Sequence, residues 1–134
     1  MKIRSPDFEN NKPIPDKFTC EGEDTNPAFI ITDIPAGTKS LAFIVDDPDA
    51  SNGMWVHWVV YNIPLVSRIE DNSIPGKELV NDFGRKSYGG PCPFSGTHRY
   101  FFKLYALDAM LDLNEEATKR ELEKAMQGHT LAEA

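Results

Sequence analysis

The chain is short of positive charge, of cysteine and of long apolar runs. Its 134 residues hold 14 Lys and Arg against 21 Asp and Glu, a net charge of −7. An acidic chain with no basic block is a poor partner for nucleic acid or an anionic membrane surface. Any anion site must therefore be local and must act against the overall field. No apolar run approaches the ~18 residues of a membrane span, so no stable membrane insertion is expected. The start, Met1-Lys2-Ile3-Arg4-Ser5-Pro6-Asp7, has neither an apolar core nor a cleavage pattern, and the expected compartment is the cytoplasm. Two cysteines, Cys20 and Cys92, are too few for a disulfide framework and lack CxxC spacing. Free thiols are expected in a reducing cytoplasm, with a single Cys20–Cys92 bridge left open.

What is present suffices for one domain over residues 1–134. Hydrophobic residues make up 40% and charged residues 26%, which excludes wholesale disorder. Residues 1–27 are polar and proline-rich and read as loop, with short strands near Ile14 and Phe18-Thr19-Cys20. Phe29-Ile30-Ile31, Leu41 to Val45, Trp55 to Ile63 and Arg99 to Leu107 read as strands: short, β-branched or aromatic, and bounded by turn residues. Only the C-terminal quarter reads as helix, over Asn114 to Gln127, capped by Asp112 or Asn114, stopped by Gly128, with Leu122, Ala125 and Met126 as its buried stripe. Several strands and one late helix predict a mainly β fold, a sandwich with a helical appendage.

Three segments carry candidate chemistry. Asp46-Asp47-Pro48-Asp49-Ala50 follows directly on an apolar strand and reads either as a polar turn or as carboxylates delivered to a site. Trp55-Val56-His57-Trp58 places an imidazole in an apolar strand. Strict alternation puts Trp55, His57, Val59 and Tyr61 on one face and Val56, Trp58 and Val60 on the other. That histidine is either a satisfied core ring or a pocket residue. Tyr88-Gly89-Gly90-Pro91-Cys92-Pro93-Phe94-Ser95-Gly96-Thr97-His98-Arg99-Tyr100 reads as a fixed irregular loop. Its glycine N–H groups could converge on an anion. It lacks the GK[ST] ending and the following helix of a P-loop.

Taken together, DDPDA, WVHWVVYNIP, NDFG and YGGPCP-F-SGTHRYFFKLYALD, followed by a helix ending in AMQGHTLAEA, resemble the phosphatidylethanolamine-binding protein family, in its bacterial and archaeal Raf-kinase-inhibitor-like branch. The resemblance runs from about Asp16 to the last residue. It implies a Greek-key β-sandwich with one C-terminal helix and a small anion cavity lined by Asp47, Asp49, His57 and His98. Trp55 and Tyr100 would be its walls, and the loop through Gly90, Pro91 and Pro93 its rim. Ser51 and Phe94 stand where the family usually has proline, and Pro27-Ala28-Phe29-Ile30-Ile31 lacks the family's usual tryptophan. The family also continues past LAEA with a short strand, so the C-terminal edge strand is expected to be absent.

The expected function is non-catalytic binding of a phosphate-like anion or phosphorylated ligand, including a phosphorylated protein, with modulation of a partner. Two cationic imidazoles, each with its pKa raised by an aspartate, and loop N–H groups would hold the anion. Neither cofactor nor metal is expected, although a two-histidine, one-carboxylate metal site is chemically open. A protein inhibitor of a kinase or serine protease is the alternative, with Leu65 to Asp82 as its docking loop. A hydrolase using His57 or His98 as base lacks a legible nucleophile among Ser51, Cys92 and Ser95. A homodimer is expected in analogy with prokaryotic relatives.

Overall fold

The computed structural model describes residues 1–92 and 96–134. Among the described residues eight strands form two antiparallel sheets: β1 (Lys2–Arg4), β2 (Phe29–Thr32), β3 (Ser40–Ala50), β4 (Gly53–Ile63), β5 (Arg68–Ile69), β6 (Lys77–Leu79), β7 (Phe101–Leu107) and β8 (Thr130–Glu133). One sheet has the order β1-β2-β5 and the other β6-β4-β3-β7-β8. In the larger sheet β3, β4 and β6 lie side by side and β7 returns to the free edge of β3, the Greek-key order. The mainly β class therefore holds.

Period-two alternation in β3 explains the layering. Leu41, Phe43 and Val45 point between the sheets and meet Phe29, Ile31, Ile69 and Trp58. Ala42 and Ile44 point the other way, where Leu122 and Met126 of helix α1 (Lys119–Met126) cover them together with Val59 and Leu79. The same alternation sends adjacent carboxylates to opposite faces. Asp46 goes to the helix side and is wholly buried, where its Oδ2 meets Lys103 at 3.0 Å and Lys119 at 3.2 Å. Asp47 goes to the other face.

Four readings of the sequence need correction. The DDPDA segment is strand rather than turn, because β3 runs through to Ala50 and accommodates Pro48 at a register shift between Asp47 and Ala50. The helix begins at Lys119, not Asn114. The Asn114 Oδ1 accepts from Glu116 N–H and its carbonyl accepts from Ala117 N–H, so residues 114–117 close a separate turn. The chain after the helix is not without a strand. Gly128, at φ +80°, turns it back and Thr130–Glu133 pairs with β7 as the edge of the sheet. The segment near Ile14 to Cys20 forms a short 3-10 turn at Asp16–Phe18, not a strand.

Candidate functional site

The departure that matters most for a site lies within β4. Val45 pairs with Trp58, but Asp46 pairs with Val56, so His57 is the extra residue of a β-bulge. Strict alternation would put His57 with Val59 and Tyr61 on the helix side. The bulge instead turns it to the face of Asp47, where Phe83 meets both Trp55 (5.5 Å) and His57 (5.4 Å) edge-on.

His57 is almost completely buried. Its Nδ1 lies 2.6 Å from the Gly89 carbonyl, which can only accept, so Nδ1 carries the proton. The Gly89 N–H in turn donates to the His57 carbonyl at 3.1 Å. Burial pushes the imidazole below its ordinary pKa of 6.5, and the pull of Gly89 and Asp47 does not reverse this. The ring is neutral at pH 7 and its Nε2 is an acceptor. This corrects the expectation of two cationic imidazoles.

His98 stands in the segment before β7. Its Nδ1–H donates to Asp47 Oδ2 at 2.6 Å, and Asp47 Oδ1 accepts from the Asp49 N–H at 2.7 Å. Asp49 is held from outside: Arg99 Nε, Nη2 and backbone N–H all donate to its carboxylate, at 2.8–2.9 Å. Those bonds lower the Asp49 pKa to about 2. Tyr100 joins the two histidines, lying edge-on to His57 at 5.4 Å and nearly parallel to His98 at 6.4 Å. Burial, and then Asp47 and Asp49, push its phenol up to about 12, so it stays an O–H donor.

His98 and Tyr100 wall a wide groove of about 1500 Å³ between residues 2–21 on one side and 91–92 and 96–102 on the other. His57 lies behind Tyr100 instead of sharing that surface. The rim also differs from expectation. Gly90 donates its N–H to Asp24 Oδ1 at 2.7 Å and Gly89 donates to His57, so neither N–H is left for an anion. The Pro91 carbonyl accepts from Cys20 N–H at 3.1 Å. Pro93, Phe94 and Ser95 lie outside the described residues. Cys20 and Cys92 are not free thiols but a disulfide, since segments 18–24 and 88–92 bring their Cα atoms to 5.4 Å. Among the described residues no group of three His, Cys, Asp or Glu is placed to hold a metal ion.

Sequence reasoning gave no role to Asn81, Phe83, Asp24 or Arg99. Asn81 is buried and organises the turn that carries Phe83: its Nδ2 donates to the His57 and Ser87 carbonyls and its Oδ1 accepts from Phe83 and Arg85 N–H. The Asn-Asp-Phe-Gly string was visible, but only the bulge at His57 makes Phe83 its neighbour.

These features define a two-sheet β domain with an Asp–His cluster beside a groove at one end. Comparison with known proteins agrees with that class. The family model for phosphatidylethanolamine-binding protein matches residues 4–134. A Methanothermobacter thermautotrophicus protein named UPF0098 protein is 44% identical, covering all of this chain and 94% of its own length. Among solved structures, a PEBP homologue of Chlamydia trachomatis is 39% identical with a TM-score of 0.94, over 98% of this chain and 91% of its own. Escherichia coli YbcL, described as a new member of the mammalian PEBP family, is 28% identical with a TM-score of 0.91, over 99% of this chain and 93% of its own. The chain belongs to the phosphatidylethanolamine-binding protein family.

Proposed function

We propose that the chain is a non-catalytic binding module for a phosphate monoester, taken up where His98 and Tyr100 wall the groove. The observation that carries this reading is the Asp47–His98 pair. A carboxylate behind the ring fixes its tautomer, and in the imidazolium form of His98 Nε2–H is a charge-assisted donor for an anion. Tyr100 adds an O–H donor. Asp49, which would repel an anion, is matched by Arg99. His57 is buried behind Tyr100, so the groups that face the ligand are donors. A phosphate monoester offers such donors three unsubstituted oxygens. A phosphodiester, the linkage in a phosphatidylethanolamine headgroup, offers two.

The hydrolase reading is the weaker one. Cys92, one of its candidate nucleophiles, is tied up in a disulfide. The inhibitor reading needs a free docking loop in 65–82. Here β5 and β6 pair Arg68–Ile69 and Lys77–Leu79 into the two sheets, so that 70–76 between them is left as loop, with Ile74 exposed on it.

Titrating methyl phosphate and dimethyl phosphate at pH 5.5, where each carries roughly one negative charge, tests the reading. Methyl phosphate is expected to bind tighter by about tenfold, the worth of one hydrogen bond to a charged group. Equal affinity would remove the preference for a monoester. No binding of either would remove the site.

A further inference from the structure

The Cys20–Cys92 disulfide sits where the rim of this site is stitched to the N-terminal segment. Four contacts make the seam. Tyr88 O–H donates to the Phe18 carbonyl at 2.8 Å, Gly90 N–H donates to Asp24 Oδ1 at 2.7 Å, Cys20 N–H donates to the Pro91 carbonyl at 3.1 Å, and the disulfide closes over them. The neighbouring peptide, Gly89, holds His57 from both sides through the Nδ1–H and N–H bonds given above. The path from the disulfide to the His57 ring is therefore three residues of rim, Gly89 to Pro91.

The contacts differ in exposure. Tyr88, Gly89, Gly90 and Pro91 are buried, but both half-cystines are exposed and line the groove. A structural bridge within a core would be shielded from solvent thiolates. This one is open to them and stands at the mouth of the site, in the position of labile, regulatory disulfides.

We propose that Cys20–Cys92 is a redox-modification site that regulates the phosphate site by holding its rim, an inference that rests on the binding reading above. The reductant is a dithiol of protein or small-molecule class. One of its thiolates attacks a half-cystine sulfur, forming a mixed disulfide and expelling the other cysteine as a thiolate, which takes up a proton. The second thiol of the reductant then displaces the first cysteine and leaves as a cyclic or intramolecular disulfide. Two electrons pass to the protein, which ends with Cys20–SH and Cys92–SH. Without the cross-link, the hydrogen bonds alone hold the rim against the N-terminal segment. The fraction of molecules with Gly89 seated on His57 falls, and the apparent dissociation constant rises as the reciprocal of that fraction.

The experiment titrates methyl phosphate into the oxidised protein, the same protein after dithiothreitol, and Cys20→Ser/Cys92→Ser, with thiol counts taken before and after reduction. Circular dichroism confirms that each form is folded, and amide exchange is followed at Gly89 and Gly90. The expected result is no titratable thiol before reduction and two after it. Affinity should fall about threefold in the reduced protein and in the double variant, with faster exchange at Gly89 and Gly90 and no further response of the variant to dithiothreitol. Wild-type affinity that reduction leaves unchanged overturns the proposal while leaving the phosphate site standing. So do two free thiols in air-oxidised protein. An oxidised protein that binds no methyl phosphate removes the site itself, and the regulation with it.

Discussion

Asp49 and His57 sit a few residues apart in paired strands, and their environments drive their protonation in ways that each make a separate prediction. Asp49 is held at about 2 by its hydrogen bonds to Arg99, from an ordinary 3.8. A carboxylate with a depressed folded-state pKa stabilises the fold above its unfolded value, and that contribution disappears as pH falls through 2. Arg99→Ala is expected to return the Asp49 titration to near its ordinary value, read by carboxyl-carbon NMR. An unchanged midpoint would mean that Arg99 is not its cause. His57 is also depressed, by burial, but starts from 6.5. Its unfolded form gains a proton first, so the fold loses stability as pH drops below about 6.5 and continues to lose it down to the folded-state value. The slope of stability against pH between 6.5 and 5 should be shallower in His57→Gln than in wild type, measured by urea unfolding; parallel slopes would speak against a neutral buried ring.

At the level of elements, helix α1 is fastened to the sheet by Leu122, Met126 and one carboxylate. Leu122 is fully buried against β3 and β4, and Leu122→Ala should cost ~2–5 kcal/mol in chemical unfolding. Asp46 is fully buried between Lys103 and Lys119. Asp46→Ala strands two ammonium groups, and because Lys103 is a third exposed and can swing outward, a cost of ~2–4 kcal/mol is expected. A loss below ~1 kcal/mol would show the pair to be replaceable by solvent. The sequence told much about these elements. The runs at 29–31, 41–45 and 55–63 proved to be strands, the run at 99–107 is strand from Phe101 onward, and Leu122 and Met126 did face the core. It told little about β1, β5, β6 and β8, which are two to four residues long and too short to show a period. It also mistook the turn at 114–117 for helix, because Glu, Ala and Asn there carry no signal of where the hydrogen bonds go.

On the scale of the whole molecule, the two segments that meet at the rim of the site, 18–24 and 88–92, lie far apart in the chain. The disulfide joins positions 72 residues apart. Reduction is expected to lower unfolding stability by ~2–4 kcal/mol, checked with guanidinium titrations of oxidised and reduced protein. That Asp47, His57, His98 and Tyr100 cluster was legible only through the family resemblance, since no periodicity links a strand at 40–50 to a segment near 98. The structure brings these four together and then departs from the expected chemistry. Two of the glycine N–H groups are already used within the rim, and one of the two imidazoles is neutral. Both follow from backbone pairing that composition cannot reveal: a one-residue bulge at His57 and a rim sewn to Asp24 and Cys20. The most direct measurement is calorimetric titration of methyl phosphate at pH 5.5 into wild type and His98→Ala, with folding of both checked by circular dichroism. Saturable one-to-one binding by wild type that falls at least about tenfold in His98→Ala is the predicted result. Indistinguishable isotherms would contradict it.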